Sequence, residues 1–407
     1  MPLAREVAPF HEILAATRLE HVKYAIRDIA VVGEQLARQG KRILPLNIGD
    51  PLKFDFRTPP HVVEAVVRAM HDGQDGYAPS QGIDEALEAI RTEAGRKGIR
   101  NIQNAFVTQG VSEAVDLCLT ALVNPGENVL TPVPEYPLYA AVLSKLGAEP
   151  NTYALDEGSD WQPDLADLER RINARTRAIV VINPNNPTGA VYSRATLEAI
   201  AELARRYGLL VFADEIYDKL ILDGEPHVSF AALAPDLPVV TFNGLSKAYL
   251  VPGWRVGWAV VSGEAAAVAP YVEGVHKLLR ARLSANHPEQ YAIHAALEGP
   301  QDHLVEVIRK LRARRDLTAD WCARTPRVSC VTPRGAFYAF PRIEIAGNDE
   351  DFVRQLLLEK QVMVVHGSGF GQAPGTKHFR IVFLPDESTL ARAYQAIGEF
   401  LATWEKG

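Results

Sequence analysis

The chain has 407 residues, 47% of them hydrophobic and 23% charged, with a formal net charge of −7. These values exclude a disordered tail or a fibre, and the length exceeds what a single core usually fills, so two domains are expected. The acidic balance argues against a dedicated nucleic-acid surface. Cys118, Cys322 and Cys330 are too few and too scattered for a disulfide framework or zinc knuckle, which fits a reducing compartment. Met1–Phe10 lacks the apolar core of a signal peptide, and no apolar run reaches the roughly 18 residues of a membrane span. The expectation is a cytoplasmic protein with no membrane or nucleic-acid partner.

In chain order, the segment up to Phe54 shows few elements of its own and is expected to pack with the C-terminal part. Arg177–Ile182 (RAIVVI) then reads as a buried strand followed by the loop NPNNPTG. Ala195–Tyr207 reads as a helix, with Leu197, Ile200, Ala201 and Ala204 on one face and Gly208 closing it. Leu209–Ala213 is the next strand, with Asp214 at its carboxyl end, and Val239–Phe242 and Trp258–Val261 follow. Strand, helix, strand at this spacing predicts a mostly parallel sheet covered by helices. Glu306–Cys322 reads as a long charged helix. Short strands at Val328–Val331, Ala336–Phe340, Val362–Val365 and Phe379–Phe383 surround the helix Asp349–Lys360. The predicted division is a large unit over 55–305 and a small unit made of 1–54 and 306–407.

Ligands in open α/β sheets sit beyond the carboxyl ends of the strands. The polar residues there are Gly110-Val111-Ser112, Asn183–Gly189, Asp214–Tyr217 and Asn243–Lys247. Singly, each reads first as a turn or cap; together they suggest chemistry. Lys247, between Leu245-Ser246 and Tyr249 on a Gly-punctuated turn, is a candidate desolvated amine able to form a Schiff base. Arg255, flanked by glycines, can clamp a phosphate in two parallel hydrogen bonds. Gly110, Val111 and Ser112 open a helix whose free N–H groups attract an anion. Asp214 at an apolar strand end would be compensated by a cationic ring nitrogen. Tyr217 and Asn186 could flank a phenolic oxygen, and Tyr136 could stack on a ring. These requirements converge on pyridoxal phosphate. No HExxH or paired-cysteine spacing marks a metal, and Gly367, Gly369 and Gly371 do not follow the dinucleotide fingerprint.

The motifs LNIGDP (46–51), YAPSQG (77–82), NPNNPTG (183–189), DEIYDKL (214–220), FNGLSKAYLVPGWRVGW (242–258), RGAFYAF (334–340) and HFRIVF (378–383) together resemble the class I aminotransferases of the aspartate aminotransferase fold. The resemblance implies an α/β fold: a large cofactor domain with a mostly parallel sheet of the seven-stranded type, flanked by helices, plus a smaller α+β domain. It implies that Lys247 is the Schiff-base lysine, Asp214 the partner of the pyridine nitrogen, and Tyr217 and Asn186 the pair on the phenolic oxygen. Tyr136 takes the ring-stacking position, and Arg255, Ser112, Gly110 and Val111 form the phosphate cup. Tyr77 is similar to a tyrosine that reaches the phosphate of a neighbouring subunit, implying a homodimer. Arg380 is similar to the clamp on the substrate α-carboxylate, with the Gly49 backbone beside it. Tyr24, Arg27, the LKFDF run (52–56) and the Phe-Asn-Gly-Leu-Ser-Lys form resemble bacterial and archaeal alanine (glutamate–pyruvate) aminotransferases, in which Tyr24 and Arg27 would fold over the substrate. The implied activity is amino transfer between an L-amino acid, alanine first, and a 2-oxo acid by ping-pong turnover. Aspartate, aromatic or broad specificity and a β-lyase are the alternatives. Two departures stand out. Gly244 replaces a serine that many relatives carry, and Ala281, between Arg280 and Arg282, stands where aspartate enzymes carry an arginine.

Overall fold

β-Branched and aromatic runs between Gly, Pro and Asp punctuation form the central sheet of the computed structural model, which describes residues 13–22 and 25–404. Its strands are β1 (Ile102–Gln109), β2 (Asn128–Val133), β3 (Thr152–Asp156), β4 (Gln162–Pro163), β5 (Thr176–Ile182), β6 (Leu210–Asp214), β7 (Val239–Gly244) and β8 (Val256–Ser262). They lie in the order β1-β8-β7-β6-β5-β2-β3-β4. The four pairings from β7 through β6, β5 and β2 to β3 are parallel. β8 runs antiparallel to both β7 and β1, and β4 runs antiparallel to β3. The sheet is therefore mixed, with eight strands rather than about seven. β8 departs from parallel because residues 245–255 hold only one short 3-10 turn, and a parallel return needs a crossover of a dozen or more residues.

The period of two along each strand separates two cores. Phe106, Val180, Phe212 and Val240 pack on one face against the helices α1 (Val111–Leu122), α2 (Leu138–Leu146) and α3 (Ala265–Arg282). Ala105, Val107, Ile179, Val181 and Val211 pack on the other face against Arg194–Tyr207 and Asp84–Arg96. Each fully buried aliphatic side chain contributes about 1.5–3 kcal/mol. The continuous second core makes the sheet a rigid base for its loops.

The N-terminal segment is more structured than its sequence suggested. Ala25–Arg38 is a helix that buries Ala25, Ile26, Ile29, Ala30 and Gly33. Leu44–Pro45 pairs in parallel with Val362–Met363. Tyr338–Ala339 and Val365–His366 flank Phe379–Val382 antiparallel on either side. The predicted strand Val328–Val331 is only Val328–Ser329, paired with Arg342–Ile343. The C-terminal part is tied to the sheet loops: Arg334 and Gly335 donate their N–H groups to the Gly189 carbonyl, and Ala336 N donates to Leu220 O.

Candidate functional site

One end of the sheet collects every strand-end residue singled out above. The carboxyl ends of β1, β2, β5, β6 and β7 lie at the same edge, and antiparallel β8 begins there, which brings Arg255 in from its amino end. A cleft of about 560 Å³ opens at this edge. Lys247, Asp214, Tyr217, Asn186, Tyr136, Val111, Ser112, Arg255, Arg380, Gly49 and Arg27 all line it.

Asp214 is the last residue of β6 and is 4% exposed. Burial pushes its carboxyl up to about 6, while the Tyr139 hydroxyl (3.0 Å to Oδ2) and the Ile216 N–H (3.3 Å to Oδ1) favour its ionised form. Tyr139 was not among the predicted site residues. Its position in the first turn of α2, in an otherwise apolar run, was the available signal: a fully buried phenol needs a partner.

Lys247 follows β7 and its Nζ donates to the Gly49 carbonyl at 3.0 Å. The amine lies 5.5 Å from the Phe337 ring centre and 5.8 Å from that of Tyr217. Burial, then the nearby Arg380 and Arg255 charges, lower its pKa to about 8. A neutral nucleophilic amine is thus accessible near neutral pH. Gly49 is required sterically, since a β-carbon there would lie 2.5 Å from the Tyr338 hydroxyl and 2.7 Å from Phe337.

Arg380 sits in the strand Phe379–Val382 and is 1% exposed. It donates to Asn186 Oδ1 at 3.0 Å and to the Asn47 carbonyl. Tyr338 and Phe370 hold the guanidinium between their rings at 4.7 and 4.8 Å. The Asn186 carbonyl oxygen is thereby turned to Arg380, which leaves its amide N–H₂ as the donor for a ligand. Tyr217 pairs its hydroxyl with that of Tyr338 at 2.8 Å. Tyr338 and Phe370, like Tyr139, were missed by the sequence reading, because aromatic residues within apolar motifs read as core.

The anion cradle rests on close backbone approach. Gly110 caps α1 with φ +77°, a conformation that favours glycine, and a β-carbon there would collide with the Arg255 guanidinium. Gly257 lies opposite Gly244 in the β7–β8 register, and a β-carbon on Gly257 would come within 2.5 Å of Val111 N. These contacts press the α1 amino end, with its free N–H groups, against the start of β8. Gly244 belongs to the same stack, since its β-carbon would meet Val256 O at 2.7 Å. Gly244→Ser, which restores the residue common in relatives, is therefore expected to destabilise this chain by about 1–3 kcal/mol, read from the urea midpoint. An unchanged midpoint would show that the stack relaxes freely.

The remaining predicted residues divide. Tyr77 is 85% exposed and does not line the cleft of its own chain. Tyr24 lies outside the described residues. Arg282 donates to the Ser80 and Val107 carbonyls at 3.1 Å, and Arg280 pairs with Glu273 at 2.8 Å. Among the described residues no group of three His, Cys, Asp or Glu side chains could hold a metal ion, and no helix is long and apolar enough to cross a membrane.

The site therefore combines a desolvated amine, a buried acid, a clamped guanidinium and an anion cradle. A family model described as aminotransferase class I and II matches residues 41–397. The chain is 41% identical to a glutamate-pyruvate aminotransferase AlaA of Haemophilus influenzae, covering 96% of this chain and 98% of that one. It is 42% identical to an alanine aminotransferase of Mycobacterium tuberculosis, covering 96% and 93%. Among solved structures, an alanine aminotransferase from Pyrococcus furiosus matches with a TM-score of 0.91 at 41% identity, covering 96% of this chain and all of that one. The fold, the cleft and these relatives agree: the chain belongs to the class I and II aminotransferases.

Proposed function

We propose that the protein is a pyridoxal-phosphate-dependent alanine aminotransferase that moves the amino group between alanine and 2-oxoglutarate. The observation that carries this reading is the convergence of Lys247, Asp214 and Arg380 on one cleft whose far wall is an anion cradle. The residues fit the cofactor in three places. The Arg255 guanidinium lies against Gly110 at the amino end of α1, so it and the free N–H groups of that helix could share one phosphate. Buried Asp214 would gain a counter-charge from a protonated ring nitrogen. Asn186, whose amide N–H₂ is left free to donate, and Tyr217 both line the cleft and could donate to a phenolic oxygen. The relatives' names supply the substrate, since alanine and glutamate–pyruvate enzymes cover nearly the whole chain.

Pyridoxal phosphate, when bound, supplies an aldehyde carbon and an electron-accepting ring. Arg255 and the Val111 and Ser112 N–H groups would hold its phosphate. Arg380, fixed by Asn186 and the two aromatic rings, binds the α-carboxylate of the amino acid and so sets the direction of the Cα–H bond. Lys247 Nζ takes the proton from Cα and returns one on the reverse path, a task suited to an amine whose pKa lies near 8. Asp214 would keep a proton on the ring nitrogen of the bound cofactor. The Tyr139 and Ile216 bonds, which favour its carboxylate form, prepare that role.

We further read exposed Tyr77 as reaching the phosphate of a second subunit in a homodimer, and Arg27, with Tyr24, as closing over the substrate. The large unit would span 55–305 and the small one 1–54 with 306–407; the strands of the central sheet all fall between 102 and 262, in keeping with this division. A cytoplasmic location accords with the cysteine usage.

The test is a half-reaction screen, in which the cofactor's absorbance is followed while single amino acids are mixed with the loaded enzyme. Alanine and glutamate are expected to give the fastest change. A faster response to aspartate or tyrosine would overturn the alanine assignment, and ammonia release without amino transfer would overturn the aminotransferase reading in favour of a lyase.

A further inference from the structure

The two halves of the reaction read above make different demands on one cleft. Glutamate and 2-oxoglutarate carry a second carboxylate two methylenes beyond the reacting carbon, whereas alanine and pyruvate end there in a methyl group. Enclosing that second carboxylate without a partner charge is costly, so a cleft that accepts both pairs needs a further cation. Among the described residues, Arg27, Lys53, Lys247, Arg255 and Arg380 are the lysines and arginines that line the cleft. Three of them are committed. The Lys247 amine is bonded to Gly49 O, Arg255 lies against Gly110 in the anion cradle, and Arg380 is fixed by Asn186, the Asn47 carbonyl and two rings. Arg27 and Lys53 remain.

Lys53 stands on a fixed turn that begins at the reacting amine. Gly49 O accepts from Lys247 Nζ at 3.0 Å. The chain then folds into the 3-10 turn Pro51–Lys53, which the Asp50 carboxylate caps by accepting from Leu52 N at 3.1 Å. Lys53 N donates to Asp50 O at 3.3 Å and Phe54 N to Pro51 O at 3.0 Å. Arg57 ties down the exit by donating to the Phe54 and Phe56 carbonyls at 2.9 and 2.7 Å. The acids nearest in sequence are already engaged: Asp50 in the cap, and Asp55 by Arg314 at 2.8 Å and Lys310 at 3.0 Å. Among the described residues Lys53 therefore enters no ion pair, although it lines the cleft. Exposure rises along this wall from buried Arg380, through half-buried Gly49 and Asp50, to exposed Lys53. The wall thus leads outward from the α-carboxylate clamp to an unpaired ammonium. Arg27 belongs to a separate element, the helix Ala25–Arg38, and has no such covalent tie to the carbonyl that holds the amine.

We propose that Lys53 recognises the distal carboxylate of glutamate and 2-oxoglutarate and has no partner when alanine or pyruvate occupies the cleft. The inference rests on the aminotransferase reading given above. Lys53 makes and breaks no covalent bond. Its ammonium donates a charge-assisted hydrogen bond to the distal carboxylate while Arg380 holds the α-carboxylate, so a dicarboxylate is fixed at both ends. The same cleft then serves both halves of the reaction, because a methyl side chain stops short of Lys53 and leaves its ammonium in water, at no desolvation cost.

The test compares Lys53→Met with the parent in the separate half-reactions with glutamate and alanine, followed by the cofactor's absorbance. Calorimetric titration of the loaded protein with glutarate, a dicarboxylate with no amino group to transfer, measures binding alone. Methionine keeps much of the apolar stem and removes the charge. The expected result is a second-order rate constant for glutamate lower by about 10–100-fold, a glutarate Kd higher by a similar factor, and an alanine rate within about twofold of the parent. Lys53→Arg is expected to retain most of the glutamate rate, and Arg27→Met to leave the ratio of the two rates unchanged. Equal slowing of both half-reactions by Lys53→Met would show a structural role and overturn the proposal. An unchanged glutamate rate would also overturn it and pass the distal carboxylate to Arg27 or to a second subunit. So would a parent that responds to alanine and not to glutamate. A parent that responds to neither would overturn the functional reading itself, an outcome seen before any variant is made.

Discussion

Replacing Lys247 by alanine is expected to slow amino transfer by at least about 10³-fold, because the substitution removes both the nucleophilic amine and the group that moves the Cα proton. The loss is expected to come from chemistry and not from unfolding. Among the described residues the amine's hydrogen bond is to the Gly49 carbonyl, and its charge is opposed by Arg380 and Arg255. Its folded-state pKa is lowered from 10.5 to about 8. A lowered value means that the stability tied to this group is present above 10.5 and is lost as pH falls through 8. At neutral pH the lysine therefore opposes folding of the cofactor-free protein, and the alanine variant, despite its lost packing, is expected to unfold at no lower urea concentration at pH 7. Turnover and urea unfolding measured on the same preparation separate the two effects. A variant that retains near-wild-type turnover would contradict the role given to Lys247; one that is inactive and also unfolds would contradict the electrostatic argument.

Asp214→Asn is expected to separate stability from activity in the same way, with the opposite pH dependence. Burial raises the Asp214 carboxyl from 3.8 to about 6 in the cofactor-free chain. A raised value means that the stability tied to this group is full below 3.8 and is lost as pH rises through about 6. At pH 7.5 the ionised carboxylate then costs up to about 3 kcal/mol, an order-of-magnitude figure from the shift. Asparagine has nearly the same shape and no charge, so the cofactor-free variant is expected to be more stable at pH 7.5 and to match the parent near pH 4. Amino transfer is expected to fall by about 10²–10⁴-fold, since asparagine cannot hold the ring nitrogen in its charged form. Equal stability of the two proteins at pH 7.5 would show that the Tyr139 and Ile216 bonds fully offset the burial.

Much of this site was legible because strand ends are punctuated. Asp214 closes LVFAD, Asn186 lies in a proline-rich loop after RAIVVI, and Lys247 follows FNG; all three fall on one edge once the strands run parallel. Direction was less legible. Nothing in VGWAVVS encodes that β8 runs antiparallel; the informative feature was the connection over 245–255, too short for a crossover helix. The helix Ala25–Arg38 carried its own signal, with apolar positions 26, 29, 30 and 33 at helical spacing, in a segment expected to hold few elements of its own. Tyr139, Tyr338 and Phe370 were invisible for a different reason. Their roles depend on what their rings and hydroxyls touch elsewhere in the chain: Tyr139 meets Asp214 with a separation of 75, Tyr338 meets Tyr217 with a separation of 121, and Phe370 covers Arg380 from a glycine-rich turn. Gly244 shows the reverse case. The sequence reported a lost serine, and the structure supplies the cause in the carbonyl of Val256, which leaves no room for a β-carbon.

The most direct test of the account is to load the protein with pyridoxal phosphate, reduce it with borohydride and map the attached phosphopyridoxyl group. The chain has twelve lysines, and among them Lys247 combines a lowered pKa with a place in the cleft beside Asp214 and Arg380. The expected result is one label per chain, carried by the peptide that contains Lys247 and absent from Lys247→Ala. A label on Lys53, Lys219 or any other lysine in place of Lys247, or none at all, would contradict the central claim.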